Sequence, residues 1–431
     1  MKEQVDLLVL GAAEVVTVAD GPGVAADPAP RRGADLDALE VVPGGAVALR
    51  DGVVLAVGPQ EDLLRVYEAE DTLDARGGTV LPGLVDPHTH PVFAATREGE
   101  FDLRARGGTY QDITAAGGGI FSSVRALRTA PREALAARLK AHLDRFLACG
   151  TTSLEAKSGY GLDAESEWLS LELLAEADET HAVDLDPTCL AAHQVPPEFK
   201  QDRDAYIELV TGTILPEAAR RGLARSADVF CDEGAYTVDE ARRVLAGARD
   251  AGLALRVHAD ELAPVGAAEL AAEMGATTAD HLVKISDAGI EAMAAAGTAP
   301  VLLPGTCFSL RLPEVAPVGR MIEAGLPVAL ATDFNPGTSY VPSMIEVIAL
   351  GCALLGLTVA QAITAATRNA AATLGLPGVR GQLAPGAVAD LVVLDVPNHL
   401  FLGYQTGWNP VVTVVKNGRR VFTRGTPTWG G

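Results

Sequence analysis

Residues 81–90 read LPGLVDPHTH. An apolar run, Val80, Leu81, Leu84 and Val85, leads into Asp86 and then into His88 and His90, one residue apart. A short apolar stretch that ends in a polar cluster reads as a buried strand with chemistry at its C-terminal end. Alternate side chains of a strand share a face, so the two imidazoles point the same way. Imidazole is the commonest zinc ligand and also suits iron and nickel. The pair is therefore half of a metal site, or else two loop histidines with separate partners.

Outward from this strand, the middle of the chain alternates. Apolar runs at 80–85, 151–155, 186–192, 227–231, 254–258, 277–282, 298–303 and 327–332 are separated mostly by helix-like segments. Segment 131–147 is the clearest of these. Pro131 suits a first helical position, Leu135, Leu139 and Leu143 repeat every four residues, Phe146 and Leu147 complete the face, and Gly150 follows the end. Eight strands alternating with helices predict an α/β fold, a (β/α)8 TIM-like barrel. A doubly wound open sheet is the alternative, weakened because no G-x-G-x-x-G follows the first strand. Val- and Leu-rich segments at 5–18, 46–57, 389–396 and 411–422, the last with an Asn417-Gly418 turn, predict a small β-sandwich built from both termini. The expected division is a composite β-sandwich domain over 1–78 and 376–431 and a metal-dependent barrel domain over 79–375. Residues 20–45 have no period and read as a surface loop or a partly disordered insertion.

Composition bounds the partners. The 431 residues carry 56 acidic against 34 basic side chains, a net charge of −22. Such a surface repels phosphate backbones and anionic membranes, so neither nucleic acid nor membrane is expected as a partner. Cys149, Cys189, Cys231, Cys307 and Cys352 form no C-x-x-C, which points away from a disulfide framework or thiolate zinc site and toward a reducing cytoplasm. The N-terminus has no signal-peptide layout, and no stretch approaches a membrane span.

In a (β/α)8 barrel, catalytic groups stand at the C-terminal ends of the strands. Here those ends carry His88 and His90, Lys157 to Tyr160, His193, Asp232 and Glu233, His258 with Glu261 close behind, Asp280-His281, and Asp333 followed by Asn335, Gly337 and Thr338. Five of the 8 histidines fall at these ends; His142, His181 and His399 lie elsewhere. His88, His90, His258 and Asp333 make a three-nitrogen, one-oxygen set with room for water, which suits a catalytic zinc or iron site. Taken singly, His258 also reads as a hydrogen-bonded core histidine and Asp333 as a helix N-cap.

Longer segments are more specific. HTHPVFAATREGEFDLRARGGTYQDITAAGGGIFSSVR (88–125), KSGYGL (157–162), HADEL (258–262), ADHL (279–282), LLPGTCFSLR (302–311) and ATDFNPGT (331–338) resemble the imidazolonepropionase family of the amidohydrolase superfamily. The resemblance spans nearly the whole chain; Pro91, where an aliphatic residue is usual, departs from it beside the ligands. It implies hydrolysis of 4-imidazolone-5-propanoate to N-formimidoyl-L-glutamate, the third step of histidine degradation. It implies that His88, His90, His258 and Asp333 hold one zinc or iron ion (Zn2+ or Fe) per chain. It also implies substrate contacts from Arg97, Tyr160, His193, Glu261, Asn335, Gly337 and Thr338, and a homodimer.

Opening a cyclic amide needs an activated water, a stabilised oxyanion and a proton for the leaving nitrogen. Glu261, His281 and Asp333 are the candidates, with the division of labour open. A propionate-bearing substrate needs a cation in so acidic a chain. Arg97 is that cation, unless it is a surface arginine paired with Glu98 or Glu100. Gly107, Gly108, Gly117, Gly118 and Gly119 read as a mobile cover, or more simply as turns. Lys157 follows the second strand, whereas two-metal amidohydrolases draw their bridging lysine from the fourth, so one metal is expected. The rival activity is deamination of a nucleobase or cyclic amidine with the same metal set. A non-catalytic scaffold is the third reading, and it would be expected to have lost ligands.

Overall fold

The computed structural model describes residues 2–108 and 118–425. Eight parallel strands form one sheet in sequential order: β1 Leu84–Asp86, β2 Thr151–Lys157, β3 Asp184–Ala192, β4 Ser226–Cys231, β5 Ala254–Ala259, β6 Thr278–His281, β7 Ala299–Leu302 and β8 Ala329–Leu330. That order contains no switch point, which excludes the doubly wound alternative. β1 and β8 join just beyond their ends. The Asp333 N–H donates to the His88 carbonyl (3.1 Å), and the His90 N–H donates to the Phe334 carbonyl (2.8 Å). The barrel thus closes through the residues that carry the candidate ligands.

The helix Arg132–Ala148 buries Leu135, Leu139, Leu143, Phe146 and Leu147, as its spacing predicts, but Pro131 stands at the cap position and not inside the first turn. Gly150 has φ +89°, and a Cβ there would meet Val392 at 3.1 Å, so only glycine makes this entry into β2.

The run at 80–85 serves two sheets. Thr79–Pro82 pairs antiparallel with Leu391–Leu394, while Leu84–Asp86 enters the barrel. Gly83 makes the change, and a Cβ there would lie 2.3 Å from Thr152 Oγ1. A run buried on both faces has no period, so the break is invisible without its partners.

Thr79–Pro82 sits in a six-stranded sheet with Glu14–Val16, Val41–Pro43, Leu391–Leu394, Val411–Lys416 and Arg419–Thr423. Asn417 (φ 49°) and Gly418 (φ 75°) form the expected hairpin turn. A four-stranded sheet comprises Glu3–Leu10, Gly45–Arg50, Val53–Pro59 and Tyr67–Asp74. Leu7, Val9, Leu49 and Leu73 of the smaller sheet share a core with Val80, Leu391, Val393 and Val415 of the larger, giving a β-sandwich drawn from both ends of the chain.

Residues 20–45 are not a loose insertion. Gly33–Asp37 forms a 3-10 turn, and Leu36 and Leu39 are buried. The Arg31 backbone exchanges two hydrogen bonds with the Asn369 amide (2.8 and 3.0 Å). Asp20 meets both Arg368 (2.6 Å) and Arg31 (3.3 Å). Asn369 and Arg368 lie more than three hundred residues away, so no local pattern announces them. Among the described residues, no helix is long and apolar enough to cross a membrane. All five cysteines are unpaired.

Candidate active site

Four side chains converge where the barrel closes. His88 Nε2 lies 3.2 Å from His90 Nε2, and His90 Nε2 lies 3.4 Å from His258 Nε2. Asp333 Oδ1 stands 3.6 Å from His88 Nε2 and 3.5 Å from His90 Nε2. Donor atoms in a tetrahedron with bonds of about 2.0–2.1 Å are spaced about 3.4 Å apart, so these separations fit one small cation. Two overlapping triads have their donor atoms within 4.8 Å of one another, His88–His90–Asp333 and His88–His258–His281. The short His90–His258 separation links them, and His281 borders the same centre.

The donor chemistry agrees with that fit. Burial, and then the positive charge of Lys157, push His88 well below the usual histidine range; burial and His258 do the same to His90. His88 Nδ1 meets Asp280 Oδ2 at 2.6 Å, and His258 Nδ1 meets Asp228 Oδ2 at 3.1 Å. Asp280 fixes the proton on His88 Nδ1 and turns that ring's Nε2 lone pair toward the centre, while Asp228 faces His258 Nδ1. Asp333 (φ 51°) and His281 (φ 74°) both adopt a left-handed backbone that such residues rarely take. The closing hydrogen bonds hold Asp333 there, and the Thr306 hydroxyl donates to its Oδ2.

Beneath this centre the barrel is filled with charge. Lys157 Nζ lies 2.8 Å from Glu155 Oε1, 2.8 Å from Asp228 Oδ2 and 3.9 Å from Asp280 Oδ2. Burial opposes its charge, but the carboxylates of Asp228, Glu155 and Asp280 push the ammonium above the ordinary lysine range. Arg256, also buried, donates to the Thr373 carbonyl (2.6 Å) and faces Asp186 at 3.4 Å. Barrel interiors are ordinarily packed with branched apolar side chains. Glu155, Asp228, Arg256 and Asp280 were missed as supports, although each interrupts an apolar run in the sequence.

Above the centre lies a cavity of about 480 Å³, lined by His90, His258 and Asp333 together with Arg97, Tyr160, His193, Glu261, His281, Asn335 and Thr338. Glu261 is pushed up to about 8 by burial and by the charge of Asp333. His281 is pushed down to about 3 by burial, and its Nδ1 stands 3.7 Å from Glu261 Oε1. His193 Nδ1 pairs with the Gly159 carbonyl (3.0 Å) while its ring stacks on His90 at 5.3 Å.

Buried acids shape the loops. Glu167 accepts the N–H groups of Gly159 (3.0 Å), Gly161 (2.8 Å) and Leu162 (2.8 Å), which folds KSGYGL around it and presents Tyr160. Asp232 accepts those of Glu261 (2.6 Å) and Leu262 (2.9 Å), so the end of β4 braces the loop after β5.

Other expected contacts take different parts. The Asn335 amide is engaged by its own loop, accepting from Gly337 N (2.8 Å) and Thr338 N (2.7 Å) and donating to the Asp333 carbonyl (2.6 Å). Gly337 borders a neighbouring hollow, and a Cβ on it would lie 2.3 Å from Arg97 Nη1. Arg97 satisfies both of its readings: it pairs with Glu100 (2.7 Å) and lines the cavity. The Pro91 carbonyl accepts from His142 Nδ1 at 2.9 Å. Gly117, with Thr109 to Ala116 of the GGTYQDITAAGGGI segment, lies outside the described residues.

The Amidohydrolase family model matches residues 79–421. The imidazolonepropionase of Geobacillus kaustophilus is 48% identical over 392 residues, covering 90% of this chain and 92% of the relative. That of Symbiobacterium thermophilum is 46% identical over 425 residues, covering 98% of each. The chain belongs to the imidazolonepropionase family of amidohydrolases. Solved structures with the same architecture include an adenosine deaminase from Xanthomonas campestris with bound zinc (TM-score 0.72, 19% identity, 98% of this chain and 94% of that one). A 5-methylcytosine deaminase from Klebsiella pneumoniae is similarly close (TM-score 0.71, 18% identity, 98% of this chain and 99% of that one). At such identities the likeness concerns the fold alone. An imidazolonepropionase is a hydrolase of a metal-dependent family, and this member retains a His/Asp group able to hold a metal.

Proposed function

We propose that this cavity hydrolyses 4-imidazolone-5-propanoate to N-formimidoyl-L-glutamate. The observation that carries the reading is the stacking of the cavity: three imidazoles and a carboxylate at its floor, the buried Glu261 on its wall and Arg97 at its edge. His88, His90, His258 and Asp333 would hold one zinc or iron ion per chain. When bound, such an ion supplies Lewis acidity, lowering the pKa of water to about 7 and polarising a carbonyl.

The remaining roles fall to the chain's own side chains. Asp333, anchored by Thr306, takes a proton from the attacking water. Neutral His281 donates toward the developing oxyanion. Glu261 keeps its proton in the buried wall and delivers it to the ring nitrogen as the C–N bond breaks. Arg97 and Tyr160 face the propionate, and His193 packs against the ring. Lys157 is surrounded by carboxylates, which suits charge balance beneath a single ion rather than bridging a second. A sandwich domain over 1–78 and 376–431, a barrel domain over 79–375, a homodimer and a cytoplasmic setting complete the reading.

The test is incubation with imidazolonepropionate, following its ultraviolet absorbance with and without a chelator. The absorbance should fall, and chelation should stop the fall. Unchanged absorbance with zinc- or iron-loaded protein would overturn the assignment.

A further inference from the structure

One ammonium stands at a junction beneath the candidate metal centre. Lys157 Nζ lies 2.8 Å from Glu155 Oε1, 2.8 Å from Asp228 Oδ2 and 3.9 Å from Asp280 Oδ2, and all four side chains are fully buried. Each carboxylate reaches a different ligand-bearing part of the chain. The Asp280 oxygen that faces Lys157 is also the one 2.6 Å from His88 Nδ1. Asp228 faces His258 Nδ1 through Oδ2 (3.1 Å) and accepts the His258 N–H through Oδ1 (3.2 Å). Glu155 Oε2 accepts the N–H of Thr89, the residue between His88 and His90, at 3.3 Å. The backbone ties the same place together. The Lys157 N–H donates to the Thr89 carbonyl (2.9 Å), and the Thr89 hydroxyl donates to the Glu155 carbonyl (2.6 Å). Lys157 is not among the residues lining the cavity.

We propose that Lys157 is a positioning residue for the metal centre: its ammonium gathers the three carboxylates that set His88, His90 and His258, and so fixes the spacing of the donor rings. This rests on the reading of His88, His90, His258 and Asp333 as ligands of one ion. Carboxylates buried side by side repel one another, and without a cation between them each would turn away from its ring. In the water-free barrel the attraction of one shared cation is much stronger than at a surface. An ammonium suits the part, because its rotatable N–H donors can serve acceptors that share no plane, whereas a guanidinium fork is flat. The carboxylate behind each ring is thus one arm of a common mount.

Wild type is compared with Lys157→Met and with the charge-matched pair Lys157→Met, Glu155→Gln, which loses one charge of each sign and keeps an acceptor for Thr89. Zinc affinity is read by competition with a chromophoric chelator. Visible absorption of the cobalt-substituted proteins reports the ligand geometry. Both variants should bind zinc about 10- to 100-fold more weakly and show altered cobalt bands. With imidazolonepropionate, kcat should fall by about tenfold or more while KM changes by less than about threefold, because Lys157 does not touch the substrate. If the charge-matched variant binds zinc within about twofold of wild type, with an unchanged cobalt spectrum, the proposal is overturned and Lys157 only balances charge in the fold. Should neither variant fold, Asp228→Asn, Asp280→Asn and their combination decide. A shared ammonium makes their effects on zinc affinity non-additive, and simple additivity overturns the proposal. A wild type that binds no zinc sinks the metal reading and the proposal together; a wild type that binds it no better than the Lys157 variants sinks the proposal alone.

Discussion

His88 Nδ1 and Asp280 Oδ2 stand 2.6 Å apart on the barrel floor, both fully buried. Burial pushes Asp280 above the usual carboxylate range, against the pull of Lys157. A carboxylate in this place orients the ring and raises its basicity as a ligand. Asp280→Asn should therefore weaken metal binding by about 10- to 100-fold. Competition against a chromophoric chelator measures this directly, and an unchanged affinity would remove Asp280 from the site.

Glu261 can hand a proton to a ring nitrogen only while it holds one. Glu261→Gln preserves shape and hydrogen bonding but cannot give that proton up. The variant should bind substrate with KM within a few-fold and lose about 10²–10⁴ in kcat. Near-normal turnover would transfer the role to another group.

Gly337 gives Arg97 its room. In Gly337→Ala, the new methyl must displace the guanidinium at the cavity edge. Displacement of about 1 Å can cost up to about a hundredfold. KM should rise by about ten- to a hundredfold while the melting temperature stays near that of the wild type. A normal KM would show that Arg97 does not touch the carboxylate.

His142 couples the fold to pH. It is buried, meets the Pro91 carbonyl and packs against Phe93 and Phe334. Burial pushes it down from 6.5 to about 4. The unfolded chain therefore binds a proton that the native state refuses, and stability is lost as pH falls from 6.5 toward 4. At about pH 5 the linkage loss is about 2 kcal/mol relative to neutral pH. Denaturant titrations of wild type and His142→Gln should converge by that amount on acidification; parallel pH curves would contradict it.

The alternation of apolar runs and helices was enough to place the barrel strands, because each run is bounded by its own turns. The HTH pair, His258 and Asp333 were legible because polar residues at strand ends have few other reasons to interrupt buried segments. Gly83 was not legible, since its role lies in the approach of Thr152 and Asp390 from other parts of the chain. Lys157 looked like an end-of-strand candidate. Only the structure shows its ammonium turned down among Glu155, Asp228 and Asp280. The engagement of Asn335 with its own loop was likewise hidden, because an Asx turn and a substrate contact ask for the same residue.

The account stands on three rings and a carboxylate sharing one cation, and metal content tests that most directly. Elemental analysis of protein purified from zinc- or iron-supplemented medium, then dialysed, should give about one ion per chain. The doubly substituted His88→Ala, Asp333→Ala chain, verified as folded by circular dichroism, should hold almost none. A wild type without bound metal, or full occupancy retained in that variant, would contradict the account.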